Sequence, residues 1–141
     1  MVARDEKIEL LKTVPLFRGL GNSEMQRIGQ LVDEVDLPAG RVLMRQGDSG
    51  AELFAIVDGA ASVERDGREL PACGPGSVIG EIALIDGGPR TATVTLTAPS
   101  RLLVLSRRDF GSLMDEFPGV RIQILDTLAS RVRSLEESSP H

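Results

Sequence analysis

The chain has one cysteine and one histidine, no tryptophan or tyrosine, and four phenylalanines among its 141 residues. With Cys73 as the single thiol there is no intrachain disulfide framework. Cys73 reads as a small apolar packing residue, and the chain as one from a reducing, cytoplasmic compartment. The histidine is His141, at the last position. Its place removes histidine-based metal centres and histidine general bases, and no metal site or cofactor is expected. No stretch approaches the roughly 20 apolar residues of a membrane-spanning helix. The opening residues, MVARDEKIELLK, carry charges where a signal peptide has its apolar core. A net charge of −5 gives no whole-chain attraction to DNA, RNA or an anionic membrane. A local positive pocket for one small anion remains compatible with that balance.

What the chain does have is a hydrophobic content of 41% and the length of one compact domain. Residues 1–141 read as a single unit: a helical part over about 4–35, a β roll over about 36–106 and C-terminal helices over about 107–137. Ile8, Leu10, Leu11 and Val14 make a short amphipathic stretch that stops at Pro15. Asn22 or Ser23 is placed to cap a second helix, whose apolar residues Met25, Ile28, Leu31, Val32 and Val35 recur at helical spacing. A turn at Leu37-Pro38-Ala39-Gly40 ends that pattern.

Beyond it, short apolar runs are broken at roughly the 8–12-residue spacing of an antiparallel sandwich or barrel. The runs are Arg41–Met44, Leu53–Val57, Ala61–Arg65, Glu69–Cys73, Val78–Ile79, Thr91–Thr97 and Leu102–Leu105. Asp66-Gly67 is a two-residue hairpin signal. Helical texture returns at Arg108–Glu116, halts at Phe117-Pro118-Gly119 and resumes over about Val120–Glu137. Helices, then a β roll, then helices is an α+β architecture.

The chemistry concentrates between Gly80 and Thr93. A strand ends at Gly80, where no side chain blocks a ligand from the backbone. Glu81 to Ile85 can form one helical turn whose first amides suit a phosphate. After Gly87-Gly88-Pro89, Arg90 opens a threonine-rich strand and supplies a guanidinium able to bind two phosphate oxygens at once. Glu81 beside an anion is repulsive unless it binds another part of the same ligand. A ribose 2′-hydroxyl is a donor and a carboxylate accepts only, so the two are complementary. Each residue alone also reads as a solvated helix-start or turn charge; the combination within a β roll is rarer.

Gly80-Glu81-Ile82-Ala83-Leu84 followed by Pro89-Arg90-Thr91-Ala92-Thr93-Val94 resembles the phosphate-binding cassette of the cyclic-nucleotide-binding domains. These domains occur in bacterial catabolite activator proteins, protein kinase A regulatory subunits and nucleotide-gated channels. Pro15-Leu16-Phe17-Arg18-Gly19-Leu20 and Leu53–Gly59 also resemble family segments, and the resemblance covers nearly the whole chain.

It implies an eight-stranded antiparallel jelly roll, flanked by N-terminal helices and a C-terminal hinge helix pair. It implies that Glu81 accepts from the ribose 2′-hydroxyl and Arg90 pairs with the cyclic phosphate. The backbone of Gly80, Ile82 and Ala83, with Thr91 and Ala92, would complete the cradle. Leu135 falls near the position that caps the base, with Arg131 one turn earlier; ordinary packing or end fraying explains Leu135 equally. Thr91 permits cGMP without demanding it, and cAMP stands ahead as the commoner ligand.

The last helix could pair with a second copy through Leu125, Leu128, Val132 and Leu135, but packing on the roll is the default expectation. The sequence ends soon after that helix, so the output is expected from a partner or from a parent transcription factor, channel, transporter or enzyme. Catalysis is not expected: Glu81 and Asp86 have no accompanying nucleophile or base. A ligand-silent interaction module of the same fold is the alternative to a sensor.

Overall fold

The computed structural model describes residues 3–81 and 83–138. The first helix, α1 (Arg4–Lys12), carries Asp5 and Glu6 in its first turn and Lys12 in its last, matching the helix dipole. A 3-10 turn, Pro15–Phe17, begins on the proline, which lacks the N–H that such a start leaves unpaired. The second helix, α2 (Asn22–Leu31), is capped by Gly21 rather than by Asn22 or Ser23. Gly21 takes the extended cap conformation and its carbonyl accepts from Met25 N–H at 3.0 Å, so Asn22 is already the first helical residue.

The expected helical stretch through Val35 is corrected as well. The helix ends at Leu31, and Asp33–Leu37 is a strand, β1, so the roll starts three residues earlier than the sequence indicates. Val35 fits both the helical spacing from Leu31 and Val32 and an alternation with Leu37, which periodicity over so short a run cannot separate. The ladder decides. All five residues of β1 pair with β8 (Ser100–Ser106), from Asp33 opposite Val104 to Leu37 opposite Ser100. Asp36 and Arg101, directly opposed, add an ion pair at 2.9 Å.

The remaining strands are β2 (Val42–Met44), β3 (Glu52–Asp58), β4 (Ala61–Arg65), β5 (Arg68–Cys73), β6 (Val78–Ile79) and β7 (Thr93–Leu96). They form two four-stranded antiparallel sheets, ordered β1-β8-β3-β6 and β2-β7-β4-β5. The roll therefore has the eight antiparallel strands expected, β1 being the one that the sequence pattern hides. The hairpin at Asp66-Gly67 has φ of 53° and 78°, the positive pair that a type I′ turn demands.

Two apolar clusters fix the layers. Phe54, Ile56, Ile79, Val94, Leu96 and Leu102 fill the space between the sheets. Leu53, Ala55, Leu103 and Leu105 point the other way and meet the helices, including Leu11, Phe17, Ile28 and Phe110. Successive strand residues face opposite sides, so β3 and β8 are buried on both. Their unbroken runs, Leu53–Val57 and Leu102–Leu105, follow from that double burial. Phe17 and Phe110 meet at 6.1 Å between ring centroids, tilted by 38°.

A short helix, α3 (Ala83–Asp86), lies between β6 and β7. After β8, Ser106 caps α4 (Arg107–Glu116) by accepting from Asp109 N–H at 3.0 Å. The last helix is α5 (Pro118–Ser138). Val120, Ile124 and Leu128, four residues apart, turn toward the helical core. Leu125 and Val132 instead are exposed, as is Ile122, so α5 does not pack on the body through the stripe anticipated from sequence. The stripe splits into two faces, of which Leu128 belongs to the inner one. No helix among the described residues is long and apolar enough to cross a membrane.

Candidate functional site

Arg90 organises the site. It is the one charged residue buried among those described, with 6% of its surface exposed. Burial of a cation is costly unless it is partnered. Its Nη1 donates to the Glu52 carbonyl at 2.9 Å, and its Nη2 lies 3.9 Å from Glu52 Oε1. The guanidinium carbon stands 5.8 Å from the centre of the Phe54 ring, over its face. Burial pushes the arginine pKa down from its ordinary value, and the Glu52 carboxylate pulls it partly back. A guanidinium starts so basic that it stays charged in this setting.

Two glycines make the slot that holds it. A Cβ at Gly80 would fall 2.5 Å from Arg90 Nη1 and 2.7 Å from the Glu52 carbonyl oxygen, and Gly80 has φ +81°. A Cβ at Gly50 would fall 2.6 Å from Arg90 Nε. The missing side chain at Gly80 is thus explained by the arginine.

The backbone around Arg90 is tied to the loop before β3. Gly47 N–H donates to the Arg90 carbonyl at 2.9 Å, Arg90 N–H to Asp48 at 2.7 Å, and Gly50 N–H to Gly88 at 3.1 Å. Thr91 is exposed, and its carbonyl accepts from Arg65 Nε at 2.9 Å. Ala92 is buried at the entry to β7. Asp86 Oδ1 accepts from Gly88 N–H at 2.7 Å, closing the turn after α3. Arg107 donates from Nη2 to the Ile85 carbonyl at 3.3 Å, fastening the end of α3 to the start of α4.

Glu81 sits in a turn after Gly80, half-buried, and Oε2 accepts from Leu16 N–H at 3.4 Å in the 3-10 turn. The helix of the cassette begins at Ala83, two residues later than anticipated, and Glu81 contributes the carbonyl that accepts from Leu84 N–H at 3.3 Å. Ile82 lies outside the described residues, as does the side chain of Ala83. Arg131 and Leu135 belong to α5, but their side chains are not among those described. The structure thus gathers Gly80, Arg90 and the cassette turn, and adds residues the sequence did not single out: Gly50, Glu52, Phe54, Arg65 and Arg107. Nothing near Gly50 in sequence marks its role, because the guanidinium it approaches lies 40 residues away.

A buried arginine is thus seated between two glycines of a jelly roll, with the Glu81 carboxylate in the same cassette. Residues 34–117 match the family model of the cyclic nucleotide-binding domain. A CRP-like cAMP-activated global transcriptional regulator of Mycobacterium tuberculosis is 31% identical over 130 residues, covering 89% of this chain and 58% of that protein. A cyclic nucleotide-gated potassium channel of Mesorhizobium japonicum is 38% identical over 113 residues, covering 79% of this chain and 31% of the channel. The crystal structure of the N-terminal domain of a transcriptional regulator from Streptomyces coelicolor superposes with a TM-score of 0.80 at 34% identity, covering 89% of this chain and 91% of that one. The chain belongs to the cyclic nucleotide-binding domain family, whose members here are regulatory domains.

Proposed function

We propose that the chain is a cyclic-nucleotide sensor domain that binds cAMP in preference to cGMP. The observation that carries this reading is Arg90, a charged residue 6% exposed and seated between Gly50 and Gly80. A buried guanidinium with a fixed fork is suited to a phosphate. In this reading Arg90 pairs with the cyclic phosphate. The Gly80, Ile82 and Ala83 backbone, Thr91 and Ala92 complete the cradle, and Glu81 accepts from the ribose 2′-hydroxyl. Leu135 and Arg131 on α5 are the proposed cover for the base. The names of the relatives support the ligand class, and the cAMP-activated regulator favours cAMP.

Glu81 makes the assignment testable. Glu81→Ala is expected to weaken cAMP by about 1.5–3 kcal/mol, the range of a hydrogen bond to a charged group, while changing the affinity for 2′-deoxy-cAMP far less. Competition titrations with both ligands measure the difference. Equal losses would make Glu81 structural. The same format with cGMP measures the base preference.

Signalling follows by population shift. Nucleotide favours a state in which α3 and α5 close on the site, to the extent that it binds that state more tightly. Arg107 joins α3 to α4, and Leu16 N–H joins Glu81 to the N-terminal turn, so both helical flanks touch the cassette. The output would lie in a partner or in a longer protein, and the fold acts without catalysis, in the cytoplasm and without direct contact to nucleic acid.

The outer face of α5 is the proposed contact with a second copy. Ile122, Leu125 and Val132 are 64%, 60% and 55% exposed, and they recur with three- and seven-residue steps. Leu125→Glu is expected to turn any dimer seen by sedimentation equilibrium into monomer without loss of fold. A parent protein that is monomeric at high concentration would remove this reading.

A further inference from the structure

We infer that Glu52 is an internal competitor for Arg90: its carboxylate shares the guanidinium before nucleotide arrives and lowers the affinity of the site for the cyclic phosphate. The inference rests on the cyclic-nucleotide reading above and assigns a residue that sets its strength.

Glu52 opens β3 and meets Arg90 twice. Its backbone carbonyl takes the Nη1 hydrogen bond at 2.9 Å, and its Oε1 stands 3.9 Å from Nη2. The two contacts differ in character. The carbonyl is fixed by the strand, where Glu52 pairs with Ser106 of β8. The carboxylate is on a flexible side chain that is 42% exposed, against 5% for that of Arg90. The buried cation thus faces an anion that is itself partly in solvent.

A phosphate reaching Nη2 would share one positive charge with that carboxylate. Two anions on one cation repel, so part of the intrinsic attraction is spent moving Glu52 aside. At 3.9 Å the contact is an ion pair without the short geometry of a strong charge-assisted hydrogen bond, and it can open at little cost. Glu52→Gln keeps the shape and the backbone carbonyl and removes only the charge.

Two effects of opposite sign are expected from Glu52→Gln. In protein stripped of nucleotide, melting falls by about 1–4 °C because Arg90 loses its counter-charge. The dissociation constant for cAMP falls as well, by about two- to fivefold, because the phosphate no longer competes. The affinity gain shrinks in high salt, as a half-exposed electrostatic effect must. Glu52→Asp, which keeps the charge, is expected to stay within about twofold of the parent.

A residue with a purely structural role would lower stability and affinity together. Should Glu52→Gln fail to fold, Glu52→Ser carries the same comparison. Parent protein that binds cAMP, with a neutral variant that binds it equally or less tightly, overturns the competitor role and leaves the sensor reading intact. Parent protein that binds neither cAMP nor cGMP overturns the sensor reading, and this inference with it.

Discussion

Arg90→Ala is expected to weaken cyclic-nucleotide binding by about 2–5 kcal/mol, or roughly 30- to 5,000-fold, the loss typical when one partner of a buried charge pair is cut away. The size follows from the setting. A cation that is 6% exposed meets its anion with little water between them, so the interaction is weakly screened. Truncation also leaves the Glu52 carbonyl without its 2.9 Å donor, and a space beside Gly50 and Gly80. Arg90→Lys is expected to recover only part of the loss. An ammonium keeps the charge but cannot reach the Glu52 carbonyl and a phosphate as a planar fork does. Titration calorimetry on both variants measures the ratio. Binding unchanged in Arg90→Ala would place the ligand elsewhere on the roll.

Gly80→Ala is expected to be the most damaging single methyl group that can be added to the site. With φ +81° the residue occupies the left-handed region, which costs an alanine about 1–2 kcal/mol. The new Cβ would sit 2.5 Å from Arg90 Nη1 and 2.7 Å from the Glu52 carbonyl. Neither neighbour can give easily: one is a strand backbone, the other a side chain held by it. Overpacking of this kind adds about 1–3 kcal/mol. The sum, about 2–5 kcal/mol, is expected as lost stability in urea denaturation. Cyclic-nucleotide affinity should fall in whatever fraction still folds, since the guanidinium has been displaced. Gly76→Ala is the control. That residue also has a positive φ, +90°, but a Cβ there meets nothing within 4 Å. It is expected to show the backbone cost alone and to leave binding unaltered.

The strands with local signals were legible in the sequence. Ala61–Arg65 and Val78–Ile79 match β4 and β6 residue for residue, and the Asp66-Gly67 turn carries its own φ requirement. What was hidden depends on distant partners. The residues of β1 resemble a continuing helix until β8 pairs with them, and nothing near Val35 in sequence announces that ladder. The division of α5 into an inner face of Val120, Ile124 and Leu128 and an outer face of Leu125 and Val132 likewise depends on the direction in which the helix leaves Pro118.

The site shows the same split. Gly80 and Arg90 are recognisable as a pair because the cassette is contiguous. Their relation to Gly50 and Glu52 exists only once the β2–β3 loop folds against it, through Arg90 N–H to Asp48 and Gly50 N–H to Gly88. Gly80 itself gains a sharper meaning. From sequence it clears a path for a ligand; in the structure its lack of a side chain makes room for the arginine that would hold one.

The central claim is that Arg90 and its slot form a working cyclic-nucleotide site. It is tested most directly by unfolding and refolding the protein to strip any bound nucleotide and then titrating it calorimetrically with cAMP, alongside Arg90→Ala. The account predicts saturable binding of one nucleotide per chain, with the folded state gaining about 2.7 kcal/mol at a ligand concentration of about 100 times the dissociation constant. The alanine variant should bind about 30- to 5,000-fold more weakly and gain less than about 1 kcal/mol at that same ligand concentration. Absence of both heat and thermal shift with cAMP and with cGMP in the refolded parent protein would contradict it.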